Sequence, residues 1–385
     1  MVDGTSRRRA LARIVTATSV GVAGCGSRRG GIRRSETTSV PDTDQPSSDA
    51  EQPTETKSPS SSEERTVWRR DVADGEQTFL TTDGNTLYAV GRAGTVSALD
   101  PTDGTGLWRH EIEGTVRSAA SSGDGHVYVT SDAPTVTAID ADTGERRWTS
   151  ETVGDVRAGA TVSGDSVYVG TENRHLYAFD ARDGSRSWRR EVGTTMRSEI
   201  LAAPSVADGV VYVGNGGGRV TALGTDGGEV RWETEESGRV YATPVVDDGT
   251  LIVGHGQGYD VLRTADGSVR HRREIQGGIG SFSVVVEGIV YAGARNGDLY
   301  AIETDTGREQ WRISLDGDPM PAPAVTTGTV YAASREWFFY AFDTAGEEMW
   351  RFRGDETLWS SPVVIDDRVY AATADGTLYA ISRNT

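Results

Sequence analysis

The chain is nearly free of lysine and of cysteine. Lys57 is the only lysine among 39 basic residues, and Cys25 is the only cysteine in 385 positions. A single thiol excludes an intrachain disulfide and any cysteine metal cluster. The five histidines, His110, His126, His175, His255 and His271, are scattered without ligand spacing, so no metal site is expected. No Asn-x-Ser/Thr sequon occurs. Apart from a short stretch at the extreme N-terminus, no apolar run approaches the length needed to span a bilayer. Positive charge is also scarce: 57 acidic residues give a formal charge of -18. No basic stripe exists to displace counterions, which argues against a nucleic-acid partner. An acid-rich, arginine-for-lysine composition suits work in strong salt, where screening removes most self-repulsion. It points to a halophilic source, an archaeon, while high-GC codon usage would also favour Arg over Lys.

The first 25 residues read as an export signal. Ser6-Arg7-Arg8-Arg9 precedes a mild apolar stretch, Ile14 to Ala23, and then Val22-Ala23-Gly24-Cys25. The Arg7-Arg8 pair resembles a twin-arginine signal, with Ala10 where a bulky residue is usual. The small residues before Cys25 resemble a lipobox, so Cys25 is the expected lipidation site and membrane anchor. Residues 26–65 are Ser, Thr, Pro, Glu and Gln with few large apolar side chains. Such a segment cannot offset its ordering entropy and is expected to be a disordered tether.

Residues 66–385 repeat. Trp68, Trp108, Trp148 and Trp188 are spaced by 40, and Trp232, His271, Trp311 and Trp350 follow at 44, 39, 40 and 39. Each unit holds short strands rich in β-branched and aromatic residues, separated by Gly, Asp and Asn turns. Each closes on Asp-x-x-Thr/Asp-Gly before the next tryptophan, as in Asp140-Ala-Asp-Thr-Gly144. Three hairpin turns per unit make a four-stranded antiparallel meander, which buries both faces only by stacking radially on its neighbours. The count predicts an all-β, eight-bladed β-propeller. Trp68, Trp108, Trp148, Trp188, Trp232, Trp311 and Trp350 are the docking plates between blades. The chain starts with an outer strand and ends without one, so the Trp68 strand should close the ring.

The unit Tyr-Val-Gly…Leu-Tyr-Ala-(Leu/Ile/Phe)-Asp-x-x-(Thr/Asp)-Gly-x-x-x-Trp resembles the PQQ-like (pyrroloquinoline quinone-type) repeat, across residues 66–385. That resemblance implies one of two functions: a quinoprotein dehydrogenase, or a non-enzymatic propeller of the BamB type. The enzymatic branch implies long excursions, a vicinal cysteine pair and a Ca²⁺ cage with an Asp base. Here there is one four-residue insertion near Glu199, a lone Cys25, and Asp100, Asp140, Asp180 and Asp343 at repeating turns. Turn chemistry already explains those carboxylates. No catalytic residue, metal or PQQ cofactor is therefore expected, and Asn215-Gly-Gly-Gly218 reads as a hairpin turn rather than a phosphate loop.

Departures from the repeat mark candidate sites. Nine residues after successive docking positions, where the innermost strand is expected to begin, stand Gln77, Arg117, Arg157, Arg197, Tyr241, Gly280, Met320 and Trp359. Arg117, Arg157 and Arg197 would form a basic arc suited to carboxylates or phosphates; the plainer alternative is a duplicated arginine offset by nearby acids. Glu336-Trp337-Phe338 replaces a polar turn and is expected either to form an apolar spot or to pack on a neighbouring loop. Tyr241 and Trp359 would add aromatics to the same rim. The fifth unit, with His271 and Arg263, is the most divergent, consistent with simple decay. The expectation is a monomeric, lipid-anchored cell-surface scaffold whose rim holds a protein partner or an acidic polymer. The alternative is a divergent PQQ-dependent oxidoreductase.

Overall fold

The computed structural model describes residues 62–72, 77–195, 197–236, 238–317 and 321–384. Arg7, Arg8, Cys25, residues 26–61 of the tether and Met320 lie outside them. The described residues form eight four-stranded antiparallel sheets and one short helix, Ser62–Arg65. With strands lettered A to D from the axis outward, blades one to seven span 78–111, 121–151, 161–191, 205–235, 245–274, 279–314 and 324–353. Blade eight takes strands A to C from 363–382 and strand D from Thr66–Asp71.

Burial follows position in the blade. The B and C strands lie between neighbouring blades, so both their faces are covered; Leu87–Gly91 is buried throughout. The D strands face solvent and alternate, with Trp188 buried between exposed neighbours. Each core cluster joins two adjacent blades, as where Tyr128 and Val136 pack with Val167 and Phe179. A wholly buried Val, Leu or Phe contributes about 1.5–3 kcal/mol, so stability resides largely in the blade junctions.

Most of the repeat tryptophans bond across the blade junctions. The indole N–H groups of Trp108, Trp148, Trp188, Trp232 and Trp311 donate to carbonyls of the next blade's C–D turn, at 2.8–2.9 Å. That turn's glycine lies against the ring: a Cβ on Gly184, whose φ is 72°, would fall 2.6 Å from Trp148. Trp68 makes the same bond to Pro101 O of blade one at 3.1 Å, and Thr66–Asp71 pairs with the final strand, Thr377–Ser382. The ring is closed by the N-terminal strand.

Two boundaries differ from the sequence expectation. Ser62–Arg65, assigned to the tether, forms a helical turn whose Arg65 is buried with its guanidinium 4.5 Å over Trp350. In six blades the A strand starts later than expected, by four residues at Ser121, Thr161, Val245, Ala324 and Val363 and by eight at Ser205. Some of the residues just before it bond to a neighbouring blade, whereas Leu358 and Val240 bridge Thr373 and His255 of their own blades. Thr130 Oγ1 of blade two donates to Ala158 O at 2.9 Å, and Val116 N–H donates to Arg92 O of blade one. Arg117, Arg157 and Arg197 therefore lie on D-to-A crossovers, not on strands.

Candidate functional site: the crossover face

In an antiparallel four-stranded blade, the D-to-A crossovers and B–C turns open on one face, and the A–B and C–D turns on the other. Every singled-out rim residue within the described chain belongs to the first face. Its two halves differ in chemistry.

Blades one to four form a half in which most charge is internally matched. Arg92 Nη1 donates to Gln77 Oε1 at 2.8 Å. Arg117 pairs with Asp132 of the B–C turn at 3.2 Å, and Arg157 with Glu172 at 2.6 Å. Burial pushes the Asp132 carboxyl up, but bonds from Thr115 and Arg117 outweigh it and hold the group below its usual range. Burial raises Glu172, with Asp155 and Glu199 adding to it and Arg157 opposing. The expected arc of three basic groups is thus not assembled: two arginines are offset by acids. Arg197 is exposed and has no acidic partner among the described residues. The insertion beside it lies on the Asn215–Gly218 turn, where Gly216 N–H donates to Glu199 O at 2.8 Å. A Cβ on Gly216 would fall 2.8 Å from Arg197 O, so close approach of these two loops requires the glycine.

Blades five to eight form a half of cations stacked on aromatic rings. Arg295 lies 4.4 Å over Tyr241, whose hydroxyl also accepts from Arg239 at 3.3 Å. Arg335 lies 4.4 Å over Trp359, and Arg353 lies 5.4 Å over Trp337. Trp337 occupies a left-handed turn position (φ 73°) and remains 39% exposed. Phe338 instead begins a C strand and packs against the core with Tyr340. Trp337, Phe338, Arg353, Asp316 and Glu336 line an open cleft of about 480 Å³. Sequence reasoning identified the rings but not the arginines on them. A signal was available: Arg92, Arg295 and Arg335 share one column, the first residue of the B–C turn.

The repeated turn carboxylates are occupied. Asp100, Asp140, Asp180 and Asp343 each accept backbone N–H groups of their own C–D turns. Spacing alone also concealed one cluster. His255 and Asp260, both buried, meet Glu236, and a donor atom of each lies within 4.8 Å of the others.

The sequence matches the family model described as outer membrane protein assembly factor BamB over residues 60–120, 92–313 and 295–385. Among solved structures, BamB from Moraxella catarrhalis superposes with a TM-score of 0.67 at 22% identity, covering 82% of this chain and 99% of that one. The computationally designed Ika8 protein gives 0.75 at 17% identity, covering 83% and 99%. The quinohemoprotein alcohol dehydrogenase ADHIIG from Pseudomonas putida HK5 gives 0.67 at 14% identity, covering 83% and 76%. A search of curated proteins returned no significant match. At these identities the structural likenesses establish the fold alone.

Proposed function

The chain belongs to the BamB family of PQQ-repeat propellers, and from that premise we propose that it is a non-enzymatic scaffold holding a partner protein on its crossover face. The observation that carries this reading is the arginine–aromatic half of blades five to eight. Arg295 on Tyr241, Arg335 on Trp359 and Arg353 on the exposed Trp337 present flat apolar surface beside positive charge. Aromatic and arginine side chains are the groups that most often dominate protein interfaces. On an acidic protein, such a patch suits a partner segment bearing carboxylates among apolar residues. The turn carboxylates that a dehydrogenase reading would draw on are already used by their own turns. Export by the Arg7-Arg8 signal and lipidation of Cys25 would place this face at the cell surface, tethered to the outer side of the cytoplasmic membrane.

The test is crosslinking of the tagged protein in intact host cells, with Trp337→Ala/Trp359→Ala as the comparison. A discrete protein captured by the wild type and lost in the double variant supports the reading. Capture of an acidic polymer, or capture indifferent to both tryptophans, overturns it.

A further inference from the structure

The fifth blade departs from the repeat at three positions that fold onto one another. Glu236 follows the D strand of blade four, and its N–H donates to Gly218 O of the B–C turn. At the same place, with the same backbone bond, stand Ile112, Thr152, Val192, Ile275, Leu315 and Gly354. His255 ends the B strand, where other blades carry small residues such as Ser131, Thr171 and Ser334. Asp260 sits on the C strand opposite Arg272, where Tyr177 opposes Arg189 and Tyr300 opposes Arg312. Decay of a repeat explains scattered losses. It does not explain two carboxylates and an imidazole converging where apolar, tyrosine and small side chains otherwise lie, because each buried polar group there is costly unless partnered.

The partners on hand are incomplete. The side chains of His255, Asp260 and Glu236 are 1%, 0% and 0% exposed. Both Glu236 oxygens and His255 Nε2 lack any hydrogen-bond partner. His255 Nε2 faces Asp260 Oδ1 at 3.5 Å, beyond good hydrogen-bond range. One cation reaches the group: Arg272 Nη2 lies 2.6 Å from Asp260 Oδ2 and 3.6 Å from Glu236 Oε2. The Arg272 side chain is 45% exposed, so its head can withdraw into solvent.

We infer that Glu236, His255 and Asp260 form a binding site for a divalent first-row transition ion, with zinc(II) as the reference occupant. One imidazole nitrogen and two carboxylate oxygens are the donor set such ions take, and the absence of a thiolate fits no softer metal. The ion replaces Arg272 as the charge that allows two buried carboxylates to face each other. Ligation through Nε2 moves the ring proton to Nδ1. That nitrogen now accepts the Gln257 N–H at 3.3 Å. That peptide joins Gly256 to Gln257, and Gly256 supplies the backbone freedom for it to turn away. The site also opens the crossover that carries Arg239 and Tyr241, so an ion there would pin part of the crossover face to blade five.

The test uses the untagged full chain, stripped with chelator and titrated with Zn²⁺ by calorimetry, with Co²⁺ absorption reporting the ligand field. One ion per chain is expected, with affinity at least ~100-fold weaker in Glu236→Gln and His255→Asn, each checked for fold by circular dichroism. Glu236→Gln preserves the shape of the side chain and offers Asp260 an amide N–H. If either variant fails to fold, the paramagnetically shifted imidazole resonance of Co²⁺-bound wild type reports the histidine ligand directly. Failure of the wild type to bind Zn²⁺, Co²⁺ or Mn²⁺ at millimolar concentration overturns the site. Unchanged affinity in both folded variants, or a Co²⁺ complex without a shifted imidazole, does the same.

Discussion

Arg65 takes the place over Trp350 that a turn glycine takes over Trp68, Trp108, Trp148, Trp188, Trp232 and Trp311. The reason is topological. Blade eight draws strands C and D from opposite ends of the chain, so it has no C–D turn. The helical turn Ser62–Arg65 fills that gap, and Arg65 Nη1 donates to Ser382 O at 3.3 Å. Arg65→Ala should lower stability by about 1–2 kcal/mol, the range of a desolvated cation–π contact. Denaturant unfolding measures it. Deleting residues 1–71 should do far more, because it exposes the edge of Thr377–Ser382 and opens the ring. Loss of a single cooperative transition, or self-association, is the expected result.

Gly184 and Gly84 separate backbone strain from packing. Both have positive φ, 72° and 100°, but a Cβ on Gly84 meets nothing within 4 Å, whereas one on Gly184 meets the Trp148 ring. Gly84→Ala should cost about 1 kcal/mol from the left-handed backbone. Gly184→Ala should add about 1–3 kcal/mol of overpacking at the blade junction. Equal losses in parallel melts would show that the ring contact is not held tightly.

The blade tyrosines set an alkaline limit. Burial, the largest cause in each case, pushes Tyr128, Tyr259, Tyr340 and Tyr370 up to about 12. Their unfolded value is about 10, so the folded state favours the neutral phenol. The stabilisation is complete below the unfolded value and is lost as pH rises through the folded one. Between those limits stability should fall. Tyrosinate absorbance near pH 11 should be much lower in the native protein than in denaturant; equal absorbance would contradict the burial.

The two halves of the crossover face should respond differently to substitution. Arg117 and Arg157 are ion-paired to Asp132 and Glu172, so Arg117→Ala/Arg157→Ala should leave partner capture largely intact. Loss on changing Trp337 or Trp359 should be the larger effect. Affinity capture with each variant at matched expression compares them, and the reverse ranking would move the binding half to blades one to four.

The repeat, the blade count and closure by the Trp68 strand were legible in the sequence, because each rests on local periodicity and on turn residues at constant spacing. The tryptophan plates were legible for the same reason, since one large apolar residue per unit has one place to go. Charge pairing was not. Arg117 and Asp132 are 15 residues apart, and only the fold of one blade decides that they meet. Likewise Arg335 meets Trp359, and Arg295 meets Tyr241, across blade junctions that no local pattern encodes. The cluster of Glu236, His255 and Asp260 was hidden because its members come from the end of one blade and two strands of the next. By itself, then, the sequence determined the architecture, which depends on period and turn chemistry. Tertiary structure alone decided which charges are matched and which surfaces remain available, because those depend on distances across blades rather than along the chain.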